Sequence, residues 1–457
     1  MSTPVRQPPQ PPALRAARVE GGTIVLCLGP HHLLTGRSPA ADDVIVLARL
    51  HERSPADPVN TIVLTWDDTT ATTIEARTAD DSRRASATPH DLGPIYQALR
   101  PAPAVTRLHQ HLSDAPAQRL VPLFCLTEHP RGVHTYRRVR LHPDDACFLR
   151  TTADPVASTV TSLGWLPETV ALHAQHAQFL NSHAAAFQKA FPSREIEYKY
   201  TLDPTTEIWT PATDLHTHLQ QSPPPGFVPE YRDTFQMWDY HNHVFETVAP
   251  PGERGYVSFI PTTDGTYIVK RKTYTVDGYD RGEHHTHGVT IDTPFVDYLS
   301  GVLGLTCRPL PPFRRVRYDV NLESIASGHL YAALFDRVTL LARPDLALVQ
   351  CELEYRRSRT VLPPDEPAVL AELDRLGDWL ETFLAKRGLA TDRGSYSKLS
   401  FLRDTVAAHL DLAIQEQSFL PTVPTGRPTG GLTPRASEPL DTVPTRHRPG
   451  WRPHRQH

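Results

Sequence analysis

The residues of this chain with the greatest chemical reach are charged side chains set at every second position. In Arg194-Glu195-Ile196-Glu197-Tyr198-Lys199-Tyr200 an extended backbone sends alternate side chains to opposite faces. Glu195, Glu197 and Lys199 then share one face, and Ile196, Tyr198 and Tyr200 share the other. The pattern recurs. Cys351-Glu352-Leu353-Glu354-Tyr355-Arg356 aligns Glu352, Glu354 and Arg356, and the run from Tyr267 to Tyr274 aligns Lys270 and Lys272. Arg315-Val316-Arg317-Tyr318-Asp319-Val320-Asn321 aligns Arg315, Arg317, Asp319 and Asn321. Carboxylate oxygens suit hard cations such as Mg2+ and Mn2+. Lysine and arginine suit phosphate. A cavity offering both would hold a metal-bound polyphosphate. Ordinary antiparallel strands also carry solvated charged faces, but acids and bases segregated by strand favour a wet, charged lumen. A closed barrel supplies one.

On these residues the chain resembles the CYTH family, the triphosphate tunnel metalloenzymes. Glu195-Ile196-Glu197-Tyr198-Lys199 matches that family's opening ExExK, and Glu352 with Glu354 resembles its late ExE strand. Lys270 and Lys272 resemble a mid-domain basic strand, Arg315 and Arg317 a second one, and Gly394-Ser395-Tyr396-Ser397-Lys398 a closing Ser-Lys segment. The resemblance covers roughly residues 190–405. It implies that Glu195, Glu197, Glu352 and Glu354 hold Mg2+ or Mn2+. It also implies that Lys199, Lys270, Lys272, Arg281, Arg315, Arg317 and Lys398 bind phosphate oxygens, with Glu197 and Lys199 closest to catalysis. Asp239 and Asp336 lie near family acidic positions. One departure stands out: Tyr256-Val257-Ser258-Phe259-Ile260 holds no arginine where the family usually carries one.

The elements that must position these residues follow from periodicity and punctuation. The expected fold is α+β, an antiparallel β-barrel (tunnel) with flanking helices over about residues 188–417. A separate mixed α/β N-terminal domain over 19–187 precedes it. Within the barrel, Asp264-Gly265 is a hairpin turn, and a helix from Pro367 to about Arg387 carries an apolar stripe suited to the barrel's outside. Thr293 to Leu303 and Asp214 to Gln221 also read as helices.

The N-terminal region contains β-branched runs at Thr23–Leu28, Val44–Leu47 and Thr61–Thr65. Leu120–Leu126 is a further candidate, which Pro122 pushes towards a sheet edge. A helix is expected over about 167–190, carrying His173, His176 and His183. Arg138 and Arg140 share a face, so a diverged second tunnel is one reading of this region and a binding or scaffolding domain the other. Residues 1–18, rich in Pro and Gln, and 418–457, rich in Pro, Thr and Arg, read as disordered.

Composition narrows the rest. The 457 residues include 39 % apolar and 21 % charged, enough to build a core, and the net charge of −4 gives no general pull towards nucleic acid or membrane. The cysteines, Cys27, Cys125, Cys147, Cys307 and Cys351, form no CxxC pair. No secretory leader or apolar span is visible, so a reduced cytoplasm is the expected compartment. His284, His285 and His287 could offer two zinc ligands or a proton carrier, although a solvated loop is the blander reading.

The expected activity is metal-dependent hydrolysis of a triphosphate. Through the resemblance, the substrate would be inorganic triphosphate, a nucleoside triphosphate or thiamine triphosphate. An adenylate cyclase of the same fold, and a non-catalytic tunnel binding a phosphorylated ligand or partner, are the alternatives. The expected partner is thus a small-molecule triphosphate.

Overall fold

The computed structural model describes residues 21–87, 95–97, 100–113, 120–176, 187–230, 235–274, 280–389 and 392–409. The segments expected to be disordered, 1–18 and 418–457, lie outside them, as does His183.

The β-branched runs of the first part form β1 (Thr23–Pro30), β2 (Val44–Arg53), β3 (Thr61–Thr65), β4 (Ala71–Thr78) and β5 (Arg84–Ala87). A two-stranded pair, β6 (Tyr96–Gln97) and β7 (Arg100–Pro101), leads into α1 (Pro103–Leu112). Then come β8 (Leu120–His129), β9 (Gly132–Leu141), β10 (Asp145–Arg150) and α2 (Leu166–Gln175). The longer strands make one antiparallel sheet in the order β3-β10-β9-β8-β1-β2-β4-β5. One face packs Leu26, Val46, Trp66 and Phe148 against Val105 and Leu108 of α1. The other packs Val25, Ile45 and Leu126 against Leu166 and Val170 of α2.

This corrects the expectation of a mixed α/β region. Every pair in the sheet is antiparallel, and α1 and α2 pack on its two faces instead of linking neighbouring parallel strands. It is not a second charged tunnel either, because both faces bury apolar side chains. Pro122 does not put β8 at the edge of the sheet. It pairs with Leu28 of β1 at a register shift, while β9 pairs with β8 only from Phe124 onward. The proline therefore sits where one side of the strand has no partner to miss its N–H. Helix α2 spans Leu166–Gln175; residues 177–186 of the expected helix lie outside the described residues, and Gln188 is bridged to Ser358.

The second part contains β11 (Arg194–Leu202), α3 (Trp209–Gln221), β12 (Phe227–Pro229), β13 (Gln236–Ala249), β14 (Gly255–Pro261), β15 (Tyr267–Thr273) and β16 (Asp280–Val289). After α4 (Phe295–Gly301) follow β17 (Thr306–Pro309), β18 (Phe313–Ser324), β19 (His329–Leu340) and β20 (Ala347–Ser358). The described part ends with α5 (Glu366–Ala385), β21 (Asp392–Gly394) and α6 (Lys398–Ala408). The strand order β18-β19-β20-β11-β16-β15-β14-β13 closes on itself, because β13 also pairs with β18. All the pairs are antiparallel, so the sheet is a ring with an inside and an outside. Asp264 and Gly265 turn β14 into β15, with Gly265 at φ 83°.

Outside the ring, Ile196, Tyr200, Leu322, Phe335, Val349 and Leu353 pack under α3 and α5. The expected stripe on α5 supplies Leu373, Leu376, Leu380 and Phe383 to that layer. At one end, Leu399 and Leu402 of α6 meet Val244, Phe313, Val338, Leu340 and Leu348. The first sheet is tied to the ring by Asn60, whose N–H donates to Ile325 O at 2.7 Å and whose Nδ2 donates to Arg359 O at 2.8 Å. Buried Arg359 in turn pairs with Glu323 and Glu230, each at 2.5 Å. Among the described residues no helix is long and apolar enough to cross a membrane.

Candidate active site inside the strand ring

Strict alternation along β11 turns Glu195, Glu197 and Lys199 inward, and all three are buried. Register supplies their neighbours. Glu197 lies opposite Glu354, Lys199 opposite Glu352, and Glu195 opposite Arg281. On the outer face the same strand gives Ile196 and Tyr200 to the apolar layer. Two apolar anchors thus fix the three charged side chains.

The carboxylates divide into two groups. Oxygens of Glu195, Glu197 and Glu354 lie within 4.8 Å of one another. Glu352 is not in that group, contrary to the expected quartet. It lies one pairing step further along and joins Asp336 as the acidic partner of a basic cluster. Arg315 Nη2 is 2.5 Å from Asp336 Oδ2 and 3.2 Å from Glu352 Oε2. Arg317 Nε is 2.7 Å from Asp336 Oδ1, and its Nη2 also pairs with Glu352. Lys398 Nζ is 2.9 Å from Asp336 Oδ2 and 2.6 Å from Glu352 Oε1. Lys398 is placed by the start of α6, where the Ser397 hydroxyl accepts the Ser400 N–H at 3.0 Å.

The remaining cations line the acidic trio. Lys199 pairs with Glu197 and lies 3.9 Å from Glu352. Lys272 pairs with Glu195, Lys270 lies 3.9 Å from Glu195, and Arg281 Nη1 is 3.4 Å from Glu197 Oε1. Sequence reasoning overlooked Glu283, which pairs with Lys270 and lies 3.5 Å from Lys272. Alternation from Arg281 through Glu283 to His285 on β16 was the signal that could have found it. It also overlooked Tyr240, whose hydroxyl accepts from Arg315 at 2.9 Å.

Electrostatics follow from this packing. Burial would raise the Glu195 carboxyl, and so would Glu283, but Lys272, Lys270 and Lys199 outweigh them and hold it at about 2. Glu354 goes the other way. Burial pushes it up to about 7, with Glu195, Glu197 and Glu283 adding to the shift and Arg356 opposing it. Burial works against charged Lys270 and Lys272, yet Glu283 and Glu195 keep both above the ordinary lysine range. The trio is therefore short of positive charge at Glu354. Three buried all-oxygen donors fit a hard divalent cation, the donor set of Mg2+ or Mn2+ sites.

Some expected residues lie elsewhere. Asp239 faces outward and pairs with exposed Arg314, because one-residue alternation gives the inward place to Tyr240. His285 faces inward, 3.3 Å from Glu283, while His284 and His287 are exposed. Among the described residues these histidines do not form a three-ligand cluster. On β14, the stretch already noted to hold no arginine, Tyr256 and Ser258 share the inward face.

No family model matches the chain, and no curated protein sequence matches it. Among solved structures, the Hippeastrum protein HpAC1, a candidate adenylyl cyclase with a dominant triphosphatase activity, is 15 % identical. That likeness spans 46 % of this chain and 96 % of the other, at a TM-score of 0.27. The S. pombe RNA triphosphatase Pct1, in complex with the Spt5 CTD, is 12 % identical over 51 % of this chain and 90 % of its own, at a TM-score of 0.20. At such TM-scores these likenesses carry no weight, and the site has to be read from its own geometry.

Proposed function

We propose that the ring, with its covering helices from about residue 188, is a metal-dependent phosphohydrolase acting on a triphosphate. One observation carries the reading: a carboxylate trio within 4.8 Å stands beside seven inward lysines and arginines in a closed strand ring. A site for phosphate alone gains nothing from three buried carboxylates, which would repel the ligand.

Glu195, Glu197 and Glu354 would hold the divalent cation. Bound there, it supplies a Lewis acid for phosphoryl oxygens and a water of lowered pKa. Phosphoryl transfer is largely positioning and charge stabilisation, so no nucleophilic side chain is needed. Arg315, Arg317 and Lys398 form a fork for phosphate oxygens, at present neutralised by Asp336 and Glu352. Lys199, Arg281, Lys270 and Lys272 extend that positive lining around the trio. Lys199 bonds Glu197 and lies near Glu352, so it links the acidic and basic groups and would meet the reacting phosphoryl group.

The test is phosphate release from inorganic triphosphate and ATP with Mg2+ or Mn2+, set against Glu197→Gln. Metal-dependent turnover that the substitution removes supports the hydrolase. Tight binding without turnover would support a non-catalytic triphosphate-binding ring, a reading favoured by Asp336 and Glu352 already occupying three of the cations. Cyclic nucleotide product from ATP would identify a cyclase instead.

A further inference from the structure

Among the described residues the ring is sealed at one end and open at the other. At the sealed end the inward residues Phe313, Val338, Leu340 and Leu348 meet α6 and are all buried. Moving away along β20, side-chain exposure rises from 4 % at Glu352 through 10 % at Glu354 to 34 % at Arg356. The open end lies on the side of Arg315 away from α6, and Trp238 stands towards it.

Trp238 shares the inward face of β13 with Tyr240 and lies directly opposite Arg317. Its Nε1 donates to Asp319 Oδ2 at 2.9 Å, which pins the edge of the indole. The residue is nonetheless 38 % exposed. The neighbouring aromatics behave differently: Trp209, Phe235 and Tyr318 lie on the outer side and pack on one another at centroid distances of 5.3–5.7 Å. Trp238 is therefore a large, oriented ring at the mouth of a charged bore, with no share in that packing. It is two residues, about 7 Å of strand, from Tyr240, whose hydroxyl accepts from Arg315.

We infer that Trp238 is a stacking platform for a nucleobase, so that the substrate is a nucleoside triphosphate whose phosphates reach inward to Arg315, Arg317 and Lys398. The inference rests on the triphosphate reading of the bore. An indole face offers polarisable area to any base, and such stacking tolerates sequence. Because Asp319 already holds the indole, little side-chain freedom is left to lose on binding. Inorganic triphosphate would meet the same cations and forgo the ring.

The experiment compares kcat/KM for ATP and for inorganic triphosphate, with Mg2+, in the full chain and in Trp238→Ala and Trp238→Phe. The ratio of ATP to inorganic triphosphate should fall about tenfold to a hundredfold in Trp238→Ala, and Trp238→Phe should restore most of it. A ratio unchanged in Trp238→Ala overturns the inference, because both substrates would then depend on Trp238 equally or not at all. Should the wild-type chain hydrolyse neither compound, the hydrolase reading falls. Calorimetric titration then decides the stacking claim: Trp238→Ala must weaken ATP binding more than binding of inorganic triphosphate. Binding of neither compound removes both readings.

Discussion

Strand β1 reads Thr-Ile-Val-Leu-Cys-Leu-Gly-Pro and lies buried among apolar neighbours, whereas β11 reads Arg-Glu-Ile-Glu-Tyr-Lys-Tyr-Thr-Leu and is buried almost as deeply. The first sheet follows the ordinary rule, in which apolar area removed from water stabilises the fold. The ring encloses carboxylates, ammonium groups and guanidinium groups, which cost free energy to desolvate even when paired. Two arginines make the contrast concrete. Burial lowers the pKa of Arg138 in the first sheet, where its Nη1 has no hydrogen-bond partner. Arg317 in the ring is likewise half-buried, which works against its charge, but Asp336 and Glu352 raise it well above the usual arginine value. Depth of burial thus says little about purpose. A concentrated, mutually paired set of buried charges is a costly way to make a core and an effective way to prepare a site for a charged ligand.

That contrast can be broken by exchanging the consequences of substitution. Phe148→Ala, in the core of the first sheet, should destabilise the fold by about 3–5 kcal/mol and leave kcat per folded molecule unchanged. Urea unfolding and activity assays check both halves; a stable variant would mean that the sheet's core is not cooperative. Arg317→Gln should do the reverse, lowering phosphate release about 10²–10³-fold, the cost of one preorganised donor to developing charge. If Arg317→Gln unfolds the chain instead, the ring's charges are structural and the proposed site is weakened.

A smaller effect sharpens the outer wall of the ring. Burial opposes ionisation of Glu372 on α5, but hydrogen bonds from His329, Ser324 and Ser327 prevail and its carboxyl lies below the usual range. A depressed carboxyl gives stability above its unfolded pKa, about 4.3. That stability is lost as pH falls through the folded value. Stability measured by denaturant between about pH 6 and pH 3 should therefore fall more steeply in the wild type than in Glu372→Gln. Equal slopes would refute the assignment. The smallest change is expected from Asp239→Asn, which opens only an exposed pair with Arg314. Stability should shift by less than about 1 kcal/mol and turnover should not move. A marked loss of turnover would return Asp239 to the site.

Much of the ring was legible because alternation is a local property. Once β11, β15, β18 and β20 are extended, Glu195, Glu197, Lys199, Lys270, Lys272, Arg315, Arg317, Glu352 and Glu354 must fall on shared faces. The apolar spacing of α5 likewise named the residues that cover the outside. One misreading was itself local, and the others depend on which strand lies beside which. A single step of alternation put Tyr240 rather than Asp239 inside. Pairing of β16 with β15 brought Glu283 to Lys270, and pairing of β19 with β18 brought Asp336 to both arginines.

The sequence by itself determined which side chains travel together on each strand, because backbone geometry allows an extended segment only two faces. The registers of β11 on β20, and of β18 and β20 on β19, decided which carboxylates would meet as a trio and which would be claimed by arginines. That choice is made between residues far apart in the chain, by hydrogen-bond register and the packing of α5 and α6, and no local pattern encodes it.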